Sequence, residues 1–355
     1  MKNEYKFTAN ELEAQIERLN QNGITELSIH DESISKDKKR ILKLLRKMAE
    51  CAPEVFISIL VDASVIDKET VTAASELFCA FEIPLVCSEK GGKLLFDKKF
   101  YANKARLLND FGLVFGFQLY YSQSAGDTFK SFTDRLDFAL QQYPNHIDFP
   151  QTEMNFGDFR AASDGVAGES GISSGNVSRG SATDISAKVT GIFSAQEIRS
   201  ARDIAFACRT FYSAGRAVPW FLSVLKPLKI YPSKFFADFA EWQRCNNCDF
   251  KSGFVPEGEN HKSIEKMQLL FLEEKYEEKH QHSLIPLVRD VIVLNGAMSR
   301  LAGENEESVV KLSYNPDDLF SPEIFDLAGF AENVCMEECK VRIFAGEDGP
   351  DYEVI

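Results

Sequence analysis

Residues 96–150 read FDKKFYANKARLLNDFGLVFGFQLYYSQSAGDTFKSFTDRLDFALQQYPNHIDFP, and this stretch decides the fold class. A helical pattern over Tyr101–Asn109 precedes an apolar run over Leu113–Tyr121, and a second helical pattern over Ser131–Gln142 precedes His146–Pro150. Short apolar strands separated by amphipathic helices are typical of βαβ units. The stretch therefore predicts neighbouring strands of a parallel sheet.

The same alternation extends toward the amino terminus. Three further strands are predicted, each after a helix: Ile24–His30 after Glu11–Asn20, Val55–Val61 after Lys38–Glu50, and Cys79–Cys87 after Lys68–Leu77. We therefore expect at least five α/β units in residues 1–154.

Composition narrows the function classes. The 355 residues carry a net charge of −14, which argues against nucleic acid and anionic membrane surfaces as partners. The amino terminus has no signal-peptide pattern, and no apolar run is long enough to span a bilayer. The eight cysteines lie mostly in apolar runs and indicate reduced thiols. A cytoplasmic protein is expected.

Composition changes abruptly after the last predicted strand. Residues 155–192 are rich in Gly and Ser, which predicts a flexible linker. Residues 193–355 show helical periodicity, opening with Ser194 as N-cap and Glu197 in the capping-box position. We expect a mainly helical C-terminal domain, with the aromatic stripe Phe235, Phe236, Phe239 and Trp242 in its core.

The stretch 96–150 resembles the second half of the barrel in cobalamin-binding-domain radical S-adenosylmethionine proteins. The match is closest in the helix around SFTDRLDFAL and the strand around PNHIDFP, and Cys208–Trp242 is similar to the helical region after that barrel. The resemblance implies an α/β fold: an incomplete parallel (β/α) TIM-like barrel of radical S-adenosylmethionine type, followed by the helical domain.

The chain departs from that family where the chemistry should be. No CxxxCxxC loop, which would hold a 4Fe-4S cluster, precedes the first helix, and the family's cobalamin domain is missing from these residues. Gln118 replaces an acidic residue, and residues 122–127 (SQSAGD) replace a Gly-Leu-Pro-Gly-Asp turn. We therefore do not expect this chain to bind the cluster, although S-adenosylmethionine remains a possible ligand.

Ligands of parallel α/β folds bind at the carboxyl ends of the strands, so polar residues there are candidates. These candidate ligand-binding residues are Asp31, Glu32, Asp62, Glu82, Ser88, Gln118 and Tyr121. Structural roles are open alternatives: Asp31 and Glu32 can cap the next helix, and Gln118 can be an inward residue satisfied by its neighbours. No catalytic residue is predicted.

Two cysteine pairs form a separate candidate. Cys245 and Cys248 form a CxxC, while Cys335 and Cys339 form a CxxxC with helical spacing. Four thiols are the ligand count of a structural zinc site. Unligated thiols and a redox pair at Cys245 and Cys248 are the alternatives.

Three functions remain open on this sequence. The first is a degenerate, non-catalytic binding or scaffold protein related to cobalamin-dependent radical enzymes. The second is one subunit of a split radical enzyme, with the cobalamin domain and cluster loop on another chain. The third is a zinc-stabilised interaction protein. An incomplete barrel exposes a sheet edge, so a protein partner that covers this edge is also expected.

Overall fold

The computed structural model describes residues 16, 19, 23–90, 93–122, 127–150, 192–247, 254–347 and 349–355. The chain divides into two compact units: Met1–Tyr120 with Asp134–Phe149, and Tyr121–Thr133 with Pro150–Ile355. The predicted helix Glu11–Asn20 lies outside the described residues except for Ile16 and Leu19, as does the predicted linker 155–192 except for Ile192.

The first unit contains a five-stranded parallel sheet and a small hairpin. Its strands are β1 (Glu26–Ile29), β2 (Phe56–Leu60), β3 (Cys79–Leu85), β4 (Ser88–Lys90), β5 (Lys93–Leu95), β6 (Val114–Leu119) and β7 (His146–Asp148). The sheet order is β1-β2-β3-β6-β7, and every pairing in it is parallel. The predicted parallel α/β architecture is confirmed, and the described strands form an open sheet with β1 and β7 at its edges.

The antiparallel hairpin β4–β5 was not predicted. The third predicted strand, Cys79–Cys87, instead ends at Leu85, and Ser88 begins the hairpin. A hairpin of three-residue strands carries little apolar periodicity, so the sequence gives only a weak signal for it.

The first four α-helices of the first unit begin at aspartate caps. They are α1 (Glu32–Ser35), α2 (Lys38–Cys51), α3 (Lys68–Ser75) and α4 (Lys98–Asp110), followed by α5 (Phe129–Leu140), which crosses the division between units. The carboxylates of Asp31, Asp37, Asp67 and Asp97 accept hydrogen bonds from backbone N–H groups of the first turns of α1 to α4. Each such cap stabilises a helix by about 1 kcal/mol.

The two faces of the parallel sheet differ in chemistry. Side chains in register on neighbouring strands share a face, and side chains along each strand alternate. One face is buried and apolar, and we call it the apolar face: Ile57, Ile59, Phe81, Ile83, Phe115, Phe117 and Ile147. The other we call the polar face, after Ser58, Glu82, Gln118, His146 and Asp148.

The apolar face belongs to the core of the first unit. Helix α2 buries Ile41, Leu45 and Met48 at helical spacing, and α4 buries Tyr101 and Leu108. The Tyr101 hydroxyl lies 3.2 Å from the Pro84 carbonyl oxygen in β3. Because helices cover one face, the polar groups gather on the other.

Helices dominate the second unit. They are α6 (Ala195–Cys208), a π-helical segment (Arg209–Ala214), α7 (Phe221–Leu225), α8 (Pro232–Asn246), α9 (His261–Glu278), α10 (Ile285–Glu304), α11 (Pro316–Leu319) and α12 (Leu327–Asn333). The predicted capping box of Ser194 and Glu197 at the start of α6 is confirmed.

An aromatic cluster and a small sheet complete the second unit. Phe211 contacts the rings of Phe235 and Phe239 with centroids 4.9 and 5.0 Å apart, and the predicted core stripe is confirmed as buried. An antiparallel sheet of β8 (Ser308–Leu312), β9 (Cys339–Gly346) and β10 (Gly349–Val354) accompanies the helices. This sheet was not part of the predicted, mainly helical C-terminal domain.

Candidate functional site

The strand register of the polar face brings side chains from distant parts of the chain together. Glu82 of β3 is in register with Gly116 of β6, and Gly116 with His146 of β7. One step along the strands, Gln118 is in register with Asp148. An acid, an imidazole and a second acid therefore lie on adjacent rungs of one face.

Glu82 and His146 are in direct contact. Nε2 of His146 lies 2.9 Å from each carboxylate oxygen of Glu82. The Glu82 side chain is buried at 6% exposure, while that of His146 is 28% exposed. From β2, the Ser58 hydroxyl donates to Oε1 of Glu82 at 3.3 Å. Glu82 is thus positioned from both sides, and His146 remains open to solvent.

Gly116 makes the contact between Glu82 and His146 possible. An ideal Cβ at Gly116 would lie 2.1 Å from Nε2 and 2.5 Å from Cδ2 of His146. Any side chain on Gly116 would therefore occupy the space of the imidazole ring. A glycine inside a strand often marks such a close approach.

Asp148 adds a second negative charge beside the histidine. Its Oδ2 lies 3.9 Å from Nε2 of His146, and its side chain is 46% exposed. Burial lowers the pKa of His146, but the hydrogen bond with Glu82 and the charges of Glu82 and Asp148 raise it, and the net direction is upward. The charged imidazole is favoured, and two carboxylates face it.

Gln118 at the end of β6 and Tyr120 just after it extend the polar face. The Tyr120 hydroxyl donates to Oε1 of Gln118 at 3.1 Å, and Gln118 is buried. Burial raises the pKa of Tyr120, and the charges of Glu32 and Asp148 raise it further. Tyr120 is therefore a neutral hydrogen-bonding group within the electrostatic reach of both acids.

The structure brings only some of the predicted ligand residues together. Glu82 and Gln118 lie on the polar face, and Glu32 influences it through its charge. Asp31 caps α1, and Asp62 accepts from the backbone of Ser64 at the start of a 3-10 turn. The capping alternative for Asp31 is therefore confirmed.

The last two predicted ligand residues, Ser88 and Tyr121, have other surroundings. The exposed Ser88 hydroxyl lies 3.5 Å from the Leu95 carbonyl oxygen within the hairpin. Tyr121 is buried and contacts the rings of Phe132 and Phe193 in the second unit. Their roles as ligand contacts stay predictions.

Sequence reasoning missed His146, Asp148, Ser58 and Gly116 as site residues. His146 had been noted only as a residue at the start of a strand. The one sequence signal was Gly116 inside the apolar run LVFGFQLYY. A glycine in the interior of a strand often indicates that another group packs close against the backbone. What approaches it could not be read from the sequence.

The predicted zinc ligands are only partly described. Cys248 lies outside the described residues, and Cys245 is exposed near the end of α8. The expected helical spacing of Cys335 and Cys339 is wrong, since residues 335–338 are not helical and Cys339 begins β9. Sγ of Cys339 lies 3.5 Å from the Tyr314 carbonyl oxygen. A zinc site there stays a prediction.

The thiols of the chain do not fit a 4Fe-4S cluster. A cluster with one open iron needs three thiolates, and the 355 residues contain no CxxxCxxC spacing. Among the described residues, the metal-competent group of three is Glu82, His146 and Asp148, without a cysteine. Burial raises the pKa of the Cys79 thiol to about 12, which disfavours its thiolate. No reaction step is assigned to a cluster.

No described helix combines the length and the apolar character needed to cross a bilayer.

Comparisons with known proteins give distant similarities only. No protein-family model matches the chain, and no curated protein matches it. Among solved structures it resembles the radical S-adenosylmethionine methyltransferase TsrM from Kitasatospora setae with cobalamin and 4Fe-4S cluster bound, with a TM-score of 0.32 and 13% identity over 41% of this chain and 31% of that chain.

A second similar structure is SuiB from Streptococcus suis bound to S-adenosylmethionine. The TM-score is again 0.32, with 15% identity over 44% of this chain and 38% of that chain. The chain spans about a third of the length of these two structures. The fold assignment therefore rests on the strand order and register described above.

Proposed function

We propose that this chain is a radical-S-adenosylmethionine-like binding protein that holds a small cationic ligand on the polar face and is not catalytic by itself. The main support is a chain of side-chain contacts: Ser58 donates to Glu82, Glu82 contacts His146, and Asp148 lies beside His146. S-adenosylmethionine, which carries a sulfonium and an ammonium group, is the first ligand to test.

Electrostatics support a cationic ligand. The site has two carboxylates, Glu82 and Asp148, and one imidazole, so negative charge is in excess. The charge of Glu32 also acts on the neighbouring Tyr120. Partly buried carboxylates attract cations, because their charges are less screened by salt than charges at an open surface.

Hydrogen-bonding groups support a polar, specific ligand. Gln118 and Tyr120 already pair with each other; Gln118 lies on β6, in register with Asp148, and Tyr120 directly follows that strand. Polar side chains on strands are held more rigidly than those on loops, which favours specific binding.

The spacing of the cysteines supports the proposal that these residues are not catalytic by themselves. Cleavage of the sulfonium by a radical enzyme needs an electron from a cluster, and the thiols of this chain do not fit one. Any radical chemistry would then need a cluster held outside these 355 residues.

Isothermal titration calorimetry of the full chain with S-adenosylmethionine, in the presence of a chelator, tests the binding proposal. We expect a dissociation constant in the micromolar range. S-adenosylhomocysteine lacks the sulfonium charge and should bind about tenfold more weakly, as expected for the loss of one charged contact. Glu82→Gln and Asp148→Asn should each weaken S-adenosylmethionine binding by a similar factor.

Glu54→Gln is the matched control, since Glu54 is an exposed carboxylate at the amino-terminal end of β2, away from the polar face. It should leave the affinity unchanged. An absence of heat with folded protein would overturn the proposal for S-adenosylmethionine. Equal affinity for the two ligands would overturn the charge argument.

Two further measurements separate the rival functions. Iron–sulfur absorbance that appears only when this chain is reconstituted together with a second, cysteine-bearing chain would favour the split enzyme. Bound zinc that is lost on Cys245→Ser would favour the zinc-stabilised interaction protein.

A further inference from the structure

We infer that Glu82, His146 and Asp148 form a binding site for a divalent transition metal of the zinc class. One ligand atom from each residue lies within 4.8 Å of the others. This inference goes beyond the proposed function and rests on the geometry of the three side chains alone. A metal would compete with a cationic ligand for the carboxylates of Glu82 and Asp148, so the two are tested separately.

The distances between the donor atoms fit a tetrahedral ion. With metal–ligand bonds of 2.0–2.2 Å, tetrahedral ligand atoms are about 3.3 Å apart. Nε2 of His146 lies 2.9 Å from both oxygens of Glu82 and 3.9 Å from Oδ2 of Asp148. These two separations lie on either side of the tetrahedral value, and the donor atoms of Glu82 and Asp148 lie within 4.8 Å of each other. Rotation of these side chains toward a common point would therefore seat an ion.

The surroundings hold the donors in place. Gly116 lets the imidazole ring approach the backbone of β6 closely, and the Ser58 hydroxyl donates to Oε1 of Glu82. Outer hydrogen bonds of this kind orient metal ligands and raise their affinity. Glu82 lies on β3 and His146 on β7, the two neighbours of β6 in the sheet, and this pairing through Gly116 fixes their separation better than loops would.

Ligand chemistry selects the class of metal. An imidazole nitrogen with two carboxylates suits zinc, iron(II) or cobalt(II), whereas calcium and magnesium prefer oxygen donors alone. The side chains of Asp148 and His146 are 46% and 28% exposed, which leaves a solvent-facing side where a water or a ligand atom could complete the coordination.

The competing interpretation is a metal-free ion pair between His146 and Glu82, and cobalt(II) distinguishes the two. Full-length protein stripped with a chelator is titrated with cobalt(II) while visible absorbance is followed, and zinc is then added as a competitor. We expect one equivalent of cobalt(II) to give visible bands without a sulfur-to-metal band in the near ultraviolet. Zinc should remove the bands.

Variants assign the cobalt to the three residues. Asp148→Asn should weaken cobalt(II) binding at least tenfold, and His146→Gln should weaken it further. His282→Gln, at an exposed histidine outside the site, and Cys245→Ser should leave it unchanged. Circular dichroism shows whether each variant is folded, and the half-exposed Asp148 keeps the test valid if His146→Gln unfolds.

Failure of this inference is distinct from failure of the proposed function. The cobalt titration contains no S-adenosylmethionine, and the calorimetry contains a chelator. Folded wild-type protein that binds no stoichiometric cobalt(II) would overturn the metal site, as would binding that survives Asp148→Asn and His146→Gln but is lost on Cys245→Ser.

Discussion

The two faces of the parallel sheet place residues of the same strands in opposite environments. Phe81 and Phe117 are at most 1% exposed on the apolar face, while Glu82 and Gln118, their neighbours in sequence, belong to the polar face. The apolar face gains stability from area removed from water. The polar face instead buries Glu82 and Gln118, whose polar groups are paired with His146 and Tyr120.

The largest expected effect is loss of packing on the apolar face. Phe81→Ala removes a fully buried ring, and we expect the free energy of unfolding to fall by about 3–5 kcal/mol. Urea denaturation measures the change. A loss below about 1 kcal/mol would contradict the assignment of this face to the core.

His261 offers a comparison with His146, because it is buried and has arginine side chains close by. His261 is 6% exposed, and Nη1 of Arg300 donates to its Nδ1 at 3.1 Å. Burial, followed by the charge of Arg216, lowers the pKa of His261 to about 4, although the Gly215 carbonyl and the charge of Glu304 oppose the shift. His146, beside carboxylates, shifts in the opposite direction.

The sign of the pH effect follows from the lowered pKa of His261. In the unfolded chain His261 is protonated below about pH 6.5. In the folded chain it stays neutral until the pH falls to about 4. Stability should therefore fall by about 3 kcal/mol over this interval as pH decreases. Urea denaturation at several pH values measures it, and His261→Gln should remove this part of the slope. Identical slopes in the two proteins would contradict the prediction.

An intermediate effect is expected at Gly116 on the polar face. The Cβ of Gly116→Ala would overlap the His146 ring, so the variant should lose about 1–3 kcal/mol of unfolding free energy. A double-mutant cycle with His146→Ala tests the cause. Since the smaller side chain makes room for the new Cβ, the two costs should fall clearly short of additive. Additive costs would mean that the ring is not the obstacle.

The smallest change in unfolding free energy is expected for Val→Thr at an exposed position, and the same substitution at a buried position serves as the comparison. Val114 is 39% exposed on the polar face, and Val114→Thr should change the unfolding free energy by less than about 0.5 kcal/mol. Val61 is fully buried just after β2, and Val61→Thr places a hydroxyl there at a cost of about 1–3 kcal/mol. Thermal and urea denaturation compare the two. Equal costs would erase the difference between the faces.

Local patterns predicted much of the fold. The apolar runs around Phe81 and Phe117 predicted strands, and the capping box of Ser194 and Glu197 marked the start of a helix. Such features depend on residues a few positions apart, so their signals are contained in short stretches. The prediction failed where local patterning is weak, as in the hairpin of β4 and β5 and the non-helical CxxxC segment.

The candidate site was less predictable than the fold. Glu82 and Gln118 were identified as polar residues on strands, but Glu82 meets His146 only because β3, β6 and β7 are neighbours in the sheet. These two residues are 64 positions apart. No local pattern encodes which strands become neighbours or in which register they pair.

The sequence by itself determined the alternation of strands and helices, the caps of the helices and the aromatic core of the second unit, because these follow from periodicity and from nearby side chains. Only the tertiary structure decided that Ser58, Glu82, His146 and Asp148 share one face and that Gly116 makes room for the ring. The physical reason is register: which side chains become neighbours across strands depends on how remote segments pair.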